Sequence, residues 1–94
     1  MALLFKATGR IILVKPARGE AFTLTELQGF VGGYIEVVRG PWTDRYLVLN
    51  EDGKRLGLPV NPGATMLYHE AGGLRDDLVL GDVLLGSWKE IGGG

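Results

Sequence analysis

The chain has 94 residues, enough for one domain with a modest core that needs no stapling. At 46% hydrophobic and 22% charged residues it reads as globular, and a formal net charge of -1 gives no bulk attraction toward nucleic acid or an anionic membrane. The absence of cysteine excludes a disulfide scaffold, a thiolate nucleophile and a cysteine-based zinc site. The opening MALLFKATGRIILVKP holds short apolar runs that Lys6 and Arg10 interrupt. Neither a signal peptide nor a membrane span fits there, so a cytoplasmic protein is expected.

A strand hairpin is expected over 1–19, with Thr8-Gly9 at its turn. Pro16 has no amide to donate and ends the second strand. In FTLTELQGFVGG, Thr23 and Glu26 stand at capping-box spacing, with Phe22 and Leu27 set as a hydrophobic staple. Leu24, Leu27 and Val31 share a helical face, and Gly32-Gly33 stops the helix, which is expected over 23–33. YIEVVRG changes the period from 3.6 to 2, sending Ile35 and Val37 one way and Tyr34, Glu36 and Val38 the other. Gly40-Pro41 breaks that strand, and RYLVLN resumes as its antiparallel partner. Asn50-Glu51-Asp52-Gly53 has the chemistry of a type I turn closed by a left-handed glycine. A strand returning over 54–58 is therefore expected, so 34–60 reads as a strand pair and hairpin. Asn61 before Pro62 reads as an N-cap followed by proline at the first position of a short helix over 61–70. A final strand follows over 77–86, with Gly81 at a bulge, before a frayed tail. The expected fold is one α+β domain over 1–94: a small, mostly antiparallel sheet with one main helix on one face and a second short helix.

The strings TLTELQGFVGGYIEVV, LVLNEDGKRLGLPVNPGAT and LVLGDVLL stand in order between 23 and 85. Together they resemble the domain-of-unknown-function 3846 family, whose members are typically small proteins of phages and mobile elements or of bacteria carrying them. The resemblance implies a viral accessory role and transfers no activity or catalytic residue. The N-terminal hairpin and the loop RGPWTDR stand outside the pattern that carries it.

Catalysis has little material. The single histidine, His69, and the single serine, Ser87, lie far apart, and His69-Glu70 lacks the second histidine of a usual metal set. Asp76, Asp77 and Asp82 suggest a divalent site, while Asp76-Asp77 before a strand reads more simply as a solvated turn. Glu36 reads as solvated by strand alternation or as half-buried against Arg39 or Arg45. The sharpest candidate is the helix start at Asn61, where unpaired amides and the helix dipole attract phosphate or carboxylate. Gly63 allows close approach, Lys54 and Arg55 add charge, and Thr65 and Tyr68 add a hydroxyl and a ring. A plain helix cap is the competing reading. In RGPWTDR, Arg39, Trp42 and Arg45 suit stacking on a base or a protein contact, or Trp42 folds back over the sheet edge. Trp88 reads as a core or subunit-contact residue.

The expectation is a non-enzymatic accessory protein that sequesters a small anionic, nucleotide-derived ligand and counters host defence. Its site is drawn from Asn61, Gly63, Thr65, Tyr68, Arg39, Trp42, Arg55 and Tyr34, with no metal and no cofactor. The alternative is a protein-binding inhibitor docked on a host enzyme. A homo-oligomer is expected, and neither a membrane nor nucleic acid is an expected partner.

Overall fold

The computed structural model describes residues 1–39, 42–70, 72 and 78–92. Expectations for Gly40-Pro41, Gly73, Asp76, Asp77 and the last two glycines lie outside those residues. Five strands form one antiparallel sheet: β1 (Ala2–Phe5), β2 (Ile11–Val14), β3 (Ile35–Arg39), β4 (Tyr46–Asn50) and β5 (Val83–Gly86), in the spatial order β2-β1-β5-β4-β3. With three helices added, α1 (Leu24–Val31), α2 (Gly53–Leu56) and α3 (Pro62–Glu70), the fold is the expected α+β type. Among the described residues no helix is long and apolar enough to cross a membrane.

Strand alternation divides the core into two layers. Leu4, Leu84 and Val48 are cross-strand neighbours on one face and are buried with Ala2 under Phe22, Leu27 and Val31 of the α1 region. Phe5, Val83 and Leu47 point to the other face and pack with Ala64 of α3 and Val79. The capping box at the start of α1 forms as its spacing predicts. Thr23 Oγ1 accepts from the Glu26 amide at 3.1 Å, and Glu26 Oε1 accepts from the Thr23 amide at 2.9 Å. Phe22 and Leu27 are both buried, as a staple requires, and Phe22 meets Phe30 edge-on at 5.4 Å. Gly32 ends the helix at φ +79°, a left-handed cap that glycine enters without a Cβ clash.

Two elements differ from expectation. The segment after Asn50 does not return as a strand; Gly53–Leu56 is a turn of helix instead. Asn50 Oδ1 accepts from the Asp52 amide at 2.8 Å, so the turn closes on a side chain, and Lys-Arg-Leu, all sound helix formers, continue it. Gly53 is buried there, and a Cβ on it would lie 3.3 Å from Leu80 Cβ. The last strand is also shorter than 77–86. It begins at Val83, while Leu80 makes an isolated bridge to Val60 and Gly81, at φ +75°, turns the chain between them.

Candidate functional site

At the start of α3, Asn61 and Thr65 are turned into the protein. Asn61 is fully buried, and both of its side-chain donors and its side-chain oxygen are engaged inside the protein. Its Nδ2 donates to the Phe5 carbonyl at 2.7 Å and to the Gly81 carbonyl at 2.9 Å, and its Oδ1 accepts from the Ala64 amide at 3.1 Å. Its backbone amide donates to the Val79 carbonyl at 2.7 Å, and its carbonyl accepts from the Thr65 amide at 3.0 Å. Thr65 is buried too: its hydroxyl accepts from the Val79 amide at 2.9 Å. Gly63 is exposed but lies over the Phe5 ring. The proposed anion recess at Asn61, Gly63 and Thr65 is thus corrected to a seam that fastens α3 to β1 and to residues 79–81. The physical reason is that the same amide geometry that caps a helix can bind two carbonyls of its own chain.

The open surface lies further along the same face. A groove of about 380 Å³ runs between α2 and the segment around Leu78 and Leu80. Leu49, Leu78 and Leu80 form its apolar part, and Glu36, Glu51, Asp52, Lys54 and Arg55 its rim. A second, apolar recess of about 120 Å³ shares Leu49 and Leu78 with it and adds Val38, Leu47, Tyr68 and Val79. The register explains the adjacency: Glu36 stands opposite Leu49, and Val38 opposite Leu47, all on the α3 side of the sheet.

Of the other predicted site residues, Arg55 and Tyr68 are brought to this surface, at the rim and in the recess respectively. Trp42 is half-buried against the same apolar cluster, the folded-back arrangement rather than a stacking platform. Tyr34 is 70% exposed at the entrance to β3, and Arg39 is exposed at the end of that strand; neither lines the groove. Glu36 is exposed and takes neither Arg39 nor Arg45 as an ion-pair partner; Arg45 donates to the Asp44 carbonyl. Trp88 is half-exposed against Tyr46, with ring centroids 5.3 Å apart. Sequence reasoning missed Leu49, Leu78 and Leu80; the pairing of β3 with β4 signalled Leu49 alone. Among the described residues no three His, Asp or Glu side chains gather where they could hold a metal ion.

Charge within the groove is mixed. Arg55 pairs with Asp52 at 3.2 Å, and the carboxylate beside it, with a hydrogen bond as the larger cause, lifts the guanidinium above its ordinary value. Among the described residues Glu36, Glu51 and Lys54 enter no ion pair, which leaves the rim with an excess of one negative charge. Away from the groove, Lys6 Nζ meets Asp82 Oδ2 at 2.7 Å and the Ala7 amide donates to Oδ1 at 2.8 Å. Partial burial works to raise the Asp82 carboxyl, but the Lys6 hydrogen bond, the Ala7 amide and the Lys6 charge outweigh it and hold it below its ordinary value. A carboxyl that is more acidic folded than unfolded stabilises fully above its unfolded pKa near 4 and loses that contribution as pH falls through the lower folded value. Stability is therefore expected to decline below about pH 4. Thermal melts of Asp82→Asn should show a shallower decline over that window than the unsubstituted chain.

Comparisons with curated proteins and with solved structures return no match. The family model described as Domain of unknown function (DUF3846) matches residues 9–93, a span that takes in β2, the loop before β4 and the whole groove, and the chain belongs to that family.

Proposed function

We propose that the chain is a non-enzymatic docking module whose partner is an extended segment of another protein, added to the free edge of β3. The observation that carries the reading is that this edge and the groove coincide at Glu36. The Glu51 amide donates to the Tyr34 carbonyl, so residues 34, 36 and 38 bond to β4 and the amides of Ile35, Val37 and Arg39 face outward. A strand laid there gains main-chain hydrogen bonds, and its alternate side chains turn over Leu49 and Leu78, an apolar floor with a polar rim. The acidic balance of that rim fits an apolar anchor next to a basic side chain in the partner. The partner is taken to be a host protein, in keeping with the viral accessory role that the family resemblance implies.

Selection from a library of random extended peptides tests this. Enriched sequences are expected to alternate apolar and polar positions and to favour Lys or Arg at the position facing Glu36. Glu36→Lys should exchange that preference for Asp or Glu and weaken the original peptides by about tenfold, the effect of one like-charge contact costing about 1.4 kcal/mol. No enrichment, or enrichment indifferent to Glu36→Lys, overturns the reading.

One observation favours a second reading, sequestration of a small anionic, nucleotide-derived ligand. Lys54 and Arg55 on the rim and Tyr68 in the adjoining recess put cations and a ring on one continuous surface. Intact nucleotide released on denaturing protein that had been incubated with cell extract supports that reading over the first.

A further inference from the structure

The hairpin fixes which backbone groups of β2 are spent. The Lys6 amide donates to the Arg10 carbonyl at 2.8 Å, and Leu4 and Ala2 stand opposite Ile12 and Val14. Residues 10, 12 and 14 therefore bond to β1, while the amides and carbonyls of Ile11 and Leu13 face away from the sheet. Their side chains, 58% and 64% exposed, share the Phe5 face of the sheet, with Ile11 opposite Phe5 and Leu13 opposite Leu3. The two edges of the sheet are guarded differently. Glu36 and Arg39 lie within β3, whereas β2 is Ile-Ile-Leu-Val, with neither charge nor proline, and the nearest charges are Arg10 and Lys15.

We infer that β2 is a self-association edge: two copies of this chain pair antiparallel about a two-fold axis at Ile12 and join their sheets into one of ten strands. Hydrogen bonds across such a seam form only where an outward residue meets an outward residue. With Ile12 opposite Ile12 of the second copy, Ile11 meets Leu13 and Leu13 meets Ile11, which closes four amide-carbonyl bonds. Arg10 then faces Val14 and Lys15 faces Gly9, so no like charges are opposed. Centring the axis on Leu13 sets Ile11 against Lys15, and centring it on Ile11 sets Leu13 against Gly9. Only the Ile12 register therefore sets both outward residues, Ile11 and Leu13, against apolar partners. The two-fold axis brings the Ile11 and Leu13 side chains of both copies onto one face as a continuous apolar ladder. The seam is short, below the roughly 1,200 Å² of a standard interface, so the pair depends on concentration.

The lack of native cysteine makes a single introduced thiol a clean reporter. Across this seam Ile12 and its copy form a non-hydrogen-bonded pair with Cα atoms about 4.5 Å apart, inside the span a disulfide bridges. Ile12→Cys should oxidise to a covalent dimer, and Leu13→Cys, offset from its own copy by two residues, should do so at least tenfold more slowly. Sedimentation equilibrium from about 1 µM to about 1 mM should show one chain passing to two, with Leu13→Lys weakening the pair at least tenfold while its circular dichroism is unchanged. A single chain throughout the range, a pair indifferent to Leu13→Lys, or equal cross-linking at positions 12 and 13 each overturns the inference.

Discussion

Replacing Asn61 by alanine is expected to remove about 3–4 kcal/mol of folding stability and to lower the melting temperature by roughly 15–30 °C. The substitution deletes the N-cap acceptor, a loss of about 1 kcal/mol, and leaves two buried carbonyls, of Phe5 and Gly81, without their donor at about 1–3 kcal/mol each. Partial relaxation and access of water keep the total below the simple sum. Asn61→Asp separates the two roles. Aspartate caps as well as asparagine, so a residue that only capped α3 would tolerate it. Here it keeps the Ala64 contact but sets carboxylate oxygen against two carbonyl oxygens, and a loss of at least about 2 kcal/mol is expected. Chemical denaturation of both variants measures this, and an Asp variant as stable as the unsubstituted chain would return Asn61 to a plain cap.

The second large effect is expected at Leu84. It is fully buried in β5, the middle strand, with Leu4 opposite on one side and Val48 on the other, beneath the α1 region. Truncation to alanine removes the apolar transfer term and leaves a void that three strands and a helix cannot collapse around, so a loss of about 2–5 kcal/mol is expected. Against a total of about 5–15 kcal/mol for a domain of ordinary stability, this takes Leu84→Ala close to unfolding at 37 °C. Leu24→Ala, at a position 58% exposed on α1, should stay within about 0.5 kcal/mol of the parent. A comparable loss at both positions would contradict the placement of the core.

What could be read in advance was whatever the chain decides locally. The capping box spans four residues, the Gly9 turn three or four, and the period change at Tyr34 is visible in a handful. The helix at Gly53–Leu56 was not readable because Asn-Glu-Asp-Gly suits a hairpin equally well. The choice rests on distant contacts, the Asn50 side chain donating to the Val31 carbonyl and Leu80 lying over Gly53. Asn61 shows the same limit more sharply. Its cap is written in the next three residues, but its carbonyl partner at Phe5 is 56 positions away, and that bond turns an apparent ligand site into a seam. The groove joins Glu36 to Leu78 and Leu80 across the register of β3 and β4, and no short window contains it.

Strand addition at β3 has a signature at single amides. Hydrogen exchange of the chain, alone and with a peptide chosen by the library selection, should slow at the outward amides of Ile35, Val37 and Arg39 by at least tenfold. The amides of Glu36 and Val38, already bonded to β4, should change little. Protection that appears elsewhere, or that spreads evenly over alternate residues of β3, would contradict docking along this edge.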